Sequence, residues 1–251
     1  MSNKNLKHYI YGIADNALIL GQRLSELCGH GPTLETDIAL TNIALDLLGQ
    51  TRSYYQYIAN LSTENTSEDD VAFLRKEREY RNVLLVEQPN TDFAYIITRQ
   101  YFFDVFHFML LNKLQKSKDV NLVAIANKSI KEVGYHKQFS GDWLKRLGDG
   151  TEESHEKAKQ AVNDLWVFTD ELFHSSNNDH QVIESGYGVD PNSFKEEYYK
   201  TVSSLLEEAT LQVPETKYFQ KGGKEGIHSE HMGYILAEMQ YMQRTYPDMK
   251  W

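Results

Sequence analysis

Phe93, Ile96, Ile97, Tyr101, Phe102, Phe103, Phe106, Phe108, Met109 and Leu110 make the stretch Phe93 to Leu111 apolar nearly all round a helix. A helix of that kind is stable in water only when it is enclosed on several sides, which calls for other helices around it. The rest of the chain supplies them. Long segments rich in Leu, Ala, Ile, Glu, Lys and Gln repeat at 3.6 residues, only 5 Pro and 15 Gly interrupt 251 residues, and no strand alternation persists. The expectation is one all-α domain over residues 1–251, long enough to bury a substantial core.

The first helix is expected from about Lys4 to Cys28, stopped by Gly29-His30-Gly31-Pro32, and the second from Thr33 to about Leu61. In the second, Ala39, Asn42, Asp46, Gly49 and Ser53 form a stripe of small and polar residues that permits close helix approach, with Ile38, Ile43, Leu47, Leu48 and Ile58 beside it as core. Ser62 to Ser67 is a polar break. Ser67 and Asp70 then cap a crossover helix through Leu74, Glu77 and Leu84 to Val86. Thr91 or Asp92 opens the third bundle helix, and the fourth runs from about Val120 to Leu147 with Ile125, Ser129, Glu132, His136, Phe139 and Trp143 down one face. Further helices are expected from Thr151 to about Phe173, Asn192 to Thr210 and His228 to Arg244, with a polar loop from His174 to Gly188.

Each bundle helix carries an acidic residue where a di-iron bundle would keep a ligand: Asp15, Asp46, Asp104 and Glu132. A ferritin-like di-iron bundle takes a carboxylate from each of two helices and Glu-x-x-His from each of the other two, because positions i and i+3 share a face. Here Asp46 is followed at i+3 by Gly49 and Glu132 by Tyr135. Gly offers no donor atom, and a hydroxyl with a pKa near ~10 is a poor replacement for neutral imidazole. The pattern is that of an enzyme fold without its chemistry: no catalytic, cofactor-binding or metal residue is expected, only vestigial ligand positions. A competing reading is a self-sufficient di-iron oxidase or oxygenase with a rearranged site, using His107 at i+3 from Asp104 and His136 at i+4 from Glu132. The bland reading of both is a bundle histidine with a buried hydrogen-bond partner.

Other features exclude function classes. A net charge of −10 without a block of Lys or Arg argues against nucleic acid. The single cysteine, Cys28, excludes an intrachain disulfide and a cysteine zinc cluster, and no adjacent Lys or Arg activates it as a nucleophile. Met1 to Lys7 is polar with no apolar signal core, and no segment supplies the ~20 uninterrupted apolar residues of a membrane span, so a cytoplasmic protein is expected. His228 and His231 enclose Glu230 at metal-like spacing, but capping or interface contacts are the plainer role. Gly222-Gly223-Lys224-Glu225-Gly226 lacks the phosphate-loop pattern and is expected as a surface turn. A third class, a homomeric helical scaffold, is also consistent with this composition.

Longer strings carry a resemblance. They are Asp15-Asn16-Ala17-Leu18-Ile19-Leu20-Gly21-Gln22-Arg23-Leu24, Cys28-Gly29-His30-Gly31-Pro32, Asn42-Ile43-Ala44-Leu45-Asp46-Leu47-Leu48-Gly49-Gln50 and Leu84-Leu85-Val86-Glu87-Gln88-Pro89-Asn90. Arg146-Leu147-Gly148-Asp149-Gly150-Thr151 and Ala237-Glu238-Met239-Gln240-Tyr241-Met242-Gln243-Arg244 extend it over nearly the whole length. The chain closely resembles the C-subunit family of bacterial phenylacetyl-coenzyme A 1,2-epoxidases, the phenylacetate ring oxygenases. That resemblance implies a ferritin-like, non-catalytic structural subunit of a monooxygenase complex of aerobic phenylacetate degradation. It implies pairing with a catalytic A subunit that bears the di-iron centre, alongside other epoxidase components and a reductase using NADPH and flavin or iron–sulfur groups. It leaves room for a homodimer when the chain is alone. An acidic pseudo-site without metal needs counter-charge, for which Lys128, Lys131 and Arg99 are the candidates.

Overall fold

The structure, a computed structural model, describes residues 2–62, 66–247 and 249, so part of the expected break at Ser62 to Ser67 lies outside it. The described residues are all-α, with no strand. The helices are α1 (Asn3–Ser25), α2 (Leu34–Asn60), α3 (Glu68–Phe73), α4 (Leu84–Glu87), α5 (Phe93–Leu114), α6 (Val120–Gly148), α7 (Glu152–Trp166), α8 (Asn177–Glu184), α9 (Lys195–Glu208), α10 (Glu230–Met239) and α11 (Tyr241–Thr245). They fall into two compact units: residues 1–89, 176–182 and 222–251 form one, and residues 90–175 and 183–221 the other.

In the first unit α1 packs along α2. Thr33 caps α2 by accepting from the Thr36 amide, and Ile43, Leu47, Tyr54, Tyr55 and Ile58 are buried. Ile38, expected as core, is instead 51 % exposed, and the small-residue stripe is open rather than closely packed, since a Cβ on Gly49 would touch nothing within 4 Å.

The expected crossover helix is not continuous. Ser67 and Asp70 do form a capping box, but α3 lasts only six residues before a single 3-10 turn at Glu77–Glu79 and extended chain that leads to α4. The reason is electrostatic: both the Arg75 side chain and the Arg81 amide turn onto Asp15 of α1, which a straight helix through these residues could not achieve.

Two more corrections concern later segments. The stretch from His174 to Gly188, expected as a loop, contains α8, where Ser176 and Asp179 exchange backbone and side-chain bonds and Val182 is fully buried. The last expected helix is broken at the buried Gln240 into α10 and α11.

In the second unit α5 and α6 pack side by side, with α7 and α9 against them. Asp92 caps α5 by accepting from the Tyr95 amide, and 17 of the 22 residues of α5 are buried, as its all-round apolar sequence requires. Phe102, Phe106, Trp166, Phe173, Phe194, Tyr198 and Tyr199 make an edge-to-face and tilted aromatic cluster over that helix. α7 ends at Trp166 rather than Phe173, followed by a 3-10 turn at Asp170–Phe173.

Candidate functional site

Asp15 is fully buried on α1, and its carboxylate is saturated. Arg75 donates from Nη2 to Oδ1 at 2.6 Å and from Nη1 to Oδ2 at 2.9 Å, the Tyr55 hydroxyl donates to Oδ1 at 2.5 Å, and the Arg81 amide donates to Oδ2 at 2.8 Å. A bidentate guanidinium is the strongest neutral-pH counter-charge a carboxylate can find within a protein. The guanidinium is itself enclosed. Nη2 lies 2.7 Å from the Tyr55 hydroxyl, Nε donates to the Val71 carbonyl at 2.7 Å, and Nη1 also donates to the Glu79 carbonyl at 3.1 Å. The rings of Tyr80, Tyr11 and Tyr55 stand 4.1, 4.5 and 5.3 Å from its carbon. Burial is the largest influence and opposes the Arg75 charge, but Asp15, Tyr55 and Tyr80 together more than offset it, and Arg75 is held above its ordinary value.

The counter-charge of Asp15 is therefore Arg75, a residue outside the three expected candidates. Lys128 and Lys131 point to solvent on α6, and the buried Arg99 donates to the Asn90 side chain at 2.8 Å. In the same unit as Asp15, Asp46 is half-buried and Gly49 is exposed on α2.

In the second unit Asp104 is fully buried on α5. It accepts from Gln100 Nε2 at 2.7 Å, one turn back, and from Ser140 Oγ of α6 at 2.8 Å. Burial raises its pKa to about 8 against the pull of those two bonds, so the side chain is mostly protonated at neutral pH. His107, also buried, has its pKa lowered to about 3 by burial and by the neighbouring His136, so it is a neutral ring; its Nδ1 has no hydrogen-bond partner. His136 is buried on α6, whereas Glu132 is half-buried and Tyr135 is 51 % exposed. Asp104 and Ser140 thus meet across α5 and α6. Among the described residues no three His, Cys, Asp or Glu side chains form a group that could hold a metal ion.

Sequence reasoning misses Arg75, Tyr55, Gln100 and Ser140. Gln100 and Ser140 are accessible in principle, because Gln100 precedes Asp104 by four residues and Ser140 follows His136 by four, on the same faces. Arg75 lies 60 residues from Asp15 on a segment that periodicity reads as helix, and nothing local marks it.

His228 and His231 do not form a metal pair. His228, its side chain fully buried, places Nδ1 2.6 Å from Glu87 Oε1 and Nε2 3.3 Å from the Tyr80 carbonyl, while Ser229 donates to Glu87 Oε2 from its amide and hydroxyl at 2.8 and 2.6 Å. The glycine run is not a free surface turn either. Gly223 is buried with the Asn82 carbonyl only 2.2 Å from where a Cβ would stand, and Gly226, at φ +78°, leaves 2.4 Å to the Arg78 carbonyl. Cys28 is exposed, and no described helix is long and apolar enough to cross a membrane.

Comparison with known proteins agrees with this architecture. The family model described as phenylacetic acid catabolic protein matches residues 1–251. Over 246 residues, 98 % of its length and 99 % of the other's, the chain is 49 % identical to the C subunit of the 1,2-phenylacetyl-CoA epoxidase of Escherichia coli (strain K12). Its all-helical build is ferritin-like in general terms. The chain belongs to the phenylacetic acid catabolic protein family.

Proposed function

We propose that this chain works as one ferritin-like domain and as a non-catalytic structural subunit of a cytoplasmic phenylacetyl-coenzyme A epoxidase, pairing with a catalytic A-type subunit that carries the di-iron centre. The observation that carries the reading is the saturated Asp15 carboxylate: its oxygens already accept four hydrogen bonds, from Arg75, Tyr55 and Arg81, so they have little capacity left for metal. The donor set as a whole does not fit a di-iron pair. Gly49 has no donor atom, Tyr135 stands half in solvent, and the Asp104 oxygens already accept from Gln100 and Ser140. The exposed apolar residues Leu34, Ile38 and Leu45 on α2 and Tyr234, Tyr241 and Met242 on α10 and α11 are consistent with a subunit that is covered in an assembly. An inert bundle contributes by mass action, since binding only the folded partner stabilises it.

The test is expression of this chain alone, an A-type subunit alone and both together. Soluble yield, complex mass, iron per chain and epoxide formation are then compared. The reading expects no stoichiometric iron and no turnover in this chain by itself, and a stable, active complex only when both are present. Two tightly bound irons per copy of this chain, or a fully soluble and active A-type subunit without it, overturns the proposal.

A further inference from the structure

The segment from Gly222 to Thr245 runs back over residues 75–87 and touches the groups that fix Arg75. Gly223 and Gly226 let the backbones approach at Asn82 and Arg78, closer than any side chain would allow. The next anchor is the buried Glu87 carboxylate, which takes the Asn82 side chain at 2.8 Å as well as His228 and Ser229. The third is Gln240. Its Nε2 donates to the Tyr80 hydroxyl at 2.8 Å and to the Arg75 carbonyl at 2.9 Å, and Arg244 Nη2 donates to that same carbonyl at 3.0 Å. Tyr80 is the ring closest to the Arg75 guanidinium, so one amide side chain grips both the backbone of the arginine and the aromatic wall of its cage.

Local structure gives this stretch little support of its own. Residues 74–83 contain one 3-10 turn, and an arginine on such a segment has many competing conformations. We infer that residues 222–245 act as a strap that keeps the Arg75 guanidinium seated on Asp15, so that the strap and the cage open together. The buried charge of α1 is then secured by a segment distant from it in sequence, through the Arg75 backbone that Gln240 and Arg244 grip.

Butanedione modification of arginines with peptide mapping reads the seat directly in the full-length chain. Arg75 is expected to be protected in the native protein and to become modifiable roughly fivefold faster, the equivalent of about one lost hydrogen bond, in Gln240→Ala and in the milder, surface-exposed Arg244→Ala. Arg99, in the other unit, is the control and stays protected. Coupling is reciprocal, so Arg75→Met should speed amide exchange across 228–245 by a similar factor. The inference is overturned by Arg75 as protected in both strap variants as in the native chain, or by unchanged exchange of 228–245 in Arg75→Met. Equal gains at Arg75 and Arg99 would also overturn it, because they would mean general loosening.

Discussion

Arg75→Met leaves the Asp15 carboxylate fully buried with only the Tyr55 hydroxyl and the Arg81 amide as donors, and it empties a cage of two carbonyls and three rings. Removing one partner of a buried ion pair costs about 3–5 kcal/mol, because the other charge is stranded. Solvent screening gives little relief here, as the Arg75 side chain is only 10 % exposed and that of Asp15 is not exposed at all. At a urea dependence of ~3 kcal/mol/M the midpoint should fall by about 1 M or more. Asp15→Asn removes the stranded charge, so the double variant should recover part of the loss, with a coupling of at least ~1.5 kcal/mol in a double-mutant cycle. Urea unfolding followed by circular dichroism at about pH 7.5, where the carboxylate is ionised when unfolded, measures the native chain, both single variants and the double. Strict additivity, a coupling within ~0.5 kcal/mol of zero, would refute the view that this pair acts as a unit.

Asp104 and His107 predict opposite pH slopes. Asp104 is raised from 3.8 to about 8, so its favourable contribution is complete below pH 3.8 and is lost as pH rises toward 8; Asp104→Asn should gain on the native chain by up to ~1.4 kcal/mol per unit across that window, and parallel thermal-melt profiles would exclude it. His107 is lowered from 6.5 to about 3, so its contribution is complete above pH 6.5 and is lost as pH falls toward 3; His107→Leu should flatten the acid limb of the same melts, and an unaltered limb counts against a neutral buried ring. Gly223→Ala should cost about 1–3 kcal/mol in denaturant titration, since its Cβ collides with the Asn82 carbonyl. Gly49→Ala, in open space inside α2, should instead stabilise by about 0.5–1 kcal/mol, and a loss there would show that the open face is already in use.

The four long helices are legible because their ends are written locally. Thr33, Asp92 and Thr151 cap as their residue types demand, and α6 ends within a residue of the expected glycine stop. The all-round apolar pattern of Phe93 to Leu111 translates directly into burial. Residues 74–86 are misleading because their helical spacing competes with a single distant carboxylate, and the carboxylate wins: the turns that bring Arg75 and Arg81 to Asp15 satisfy a buried charge, which outweighs the ~1 kcal/mol of each helical bond forgone. Ile38 misleads for a different reason. Its spacing marks it as apolar-face, but spacing alone cannot say whether that face is covered. That Gly49 and Tyr135 stand at i+3 from Asp46 and Glu132 is readable from spacing, while the partner of Asp15 is not.

The discontinuity of the first unit bears on how the chain emerges from a ribosome. Synthesis delivers residues 90–175 and 183–221 while the first unit still lacks 222–251, so α1 and α2 must wait through the whole of the second unit before the length of chain that closes over Asn82 and Glu87 exists. During that interval the Asp15–Arg75 pair lacks the contacts of Gln240 and Arg244, the kind of half-built intermediate that chaperones engage. Premature stop codons anywhere before Gly222 should therefore yield products cleared as thoroughly as those from much earlier stops, making quality control sensitive to a segment that follows the whole second unit.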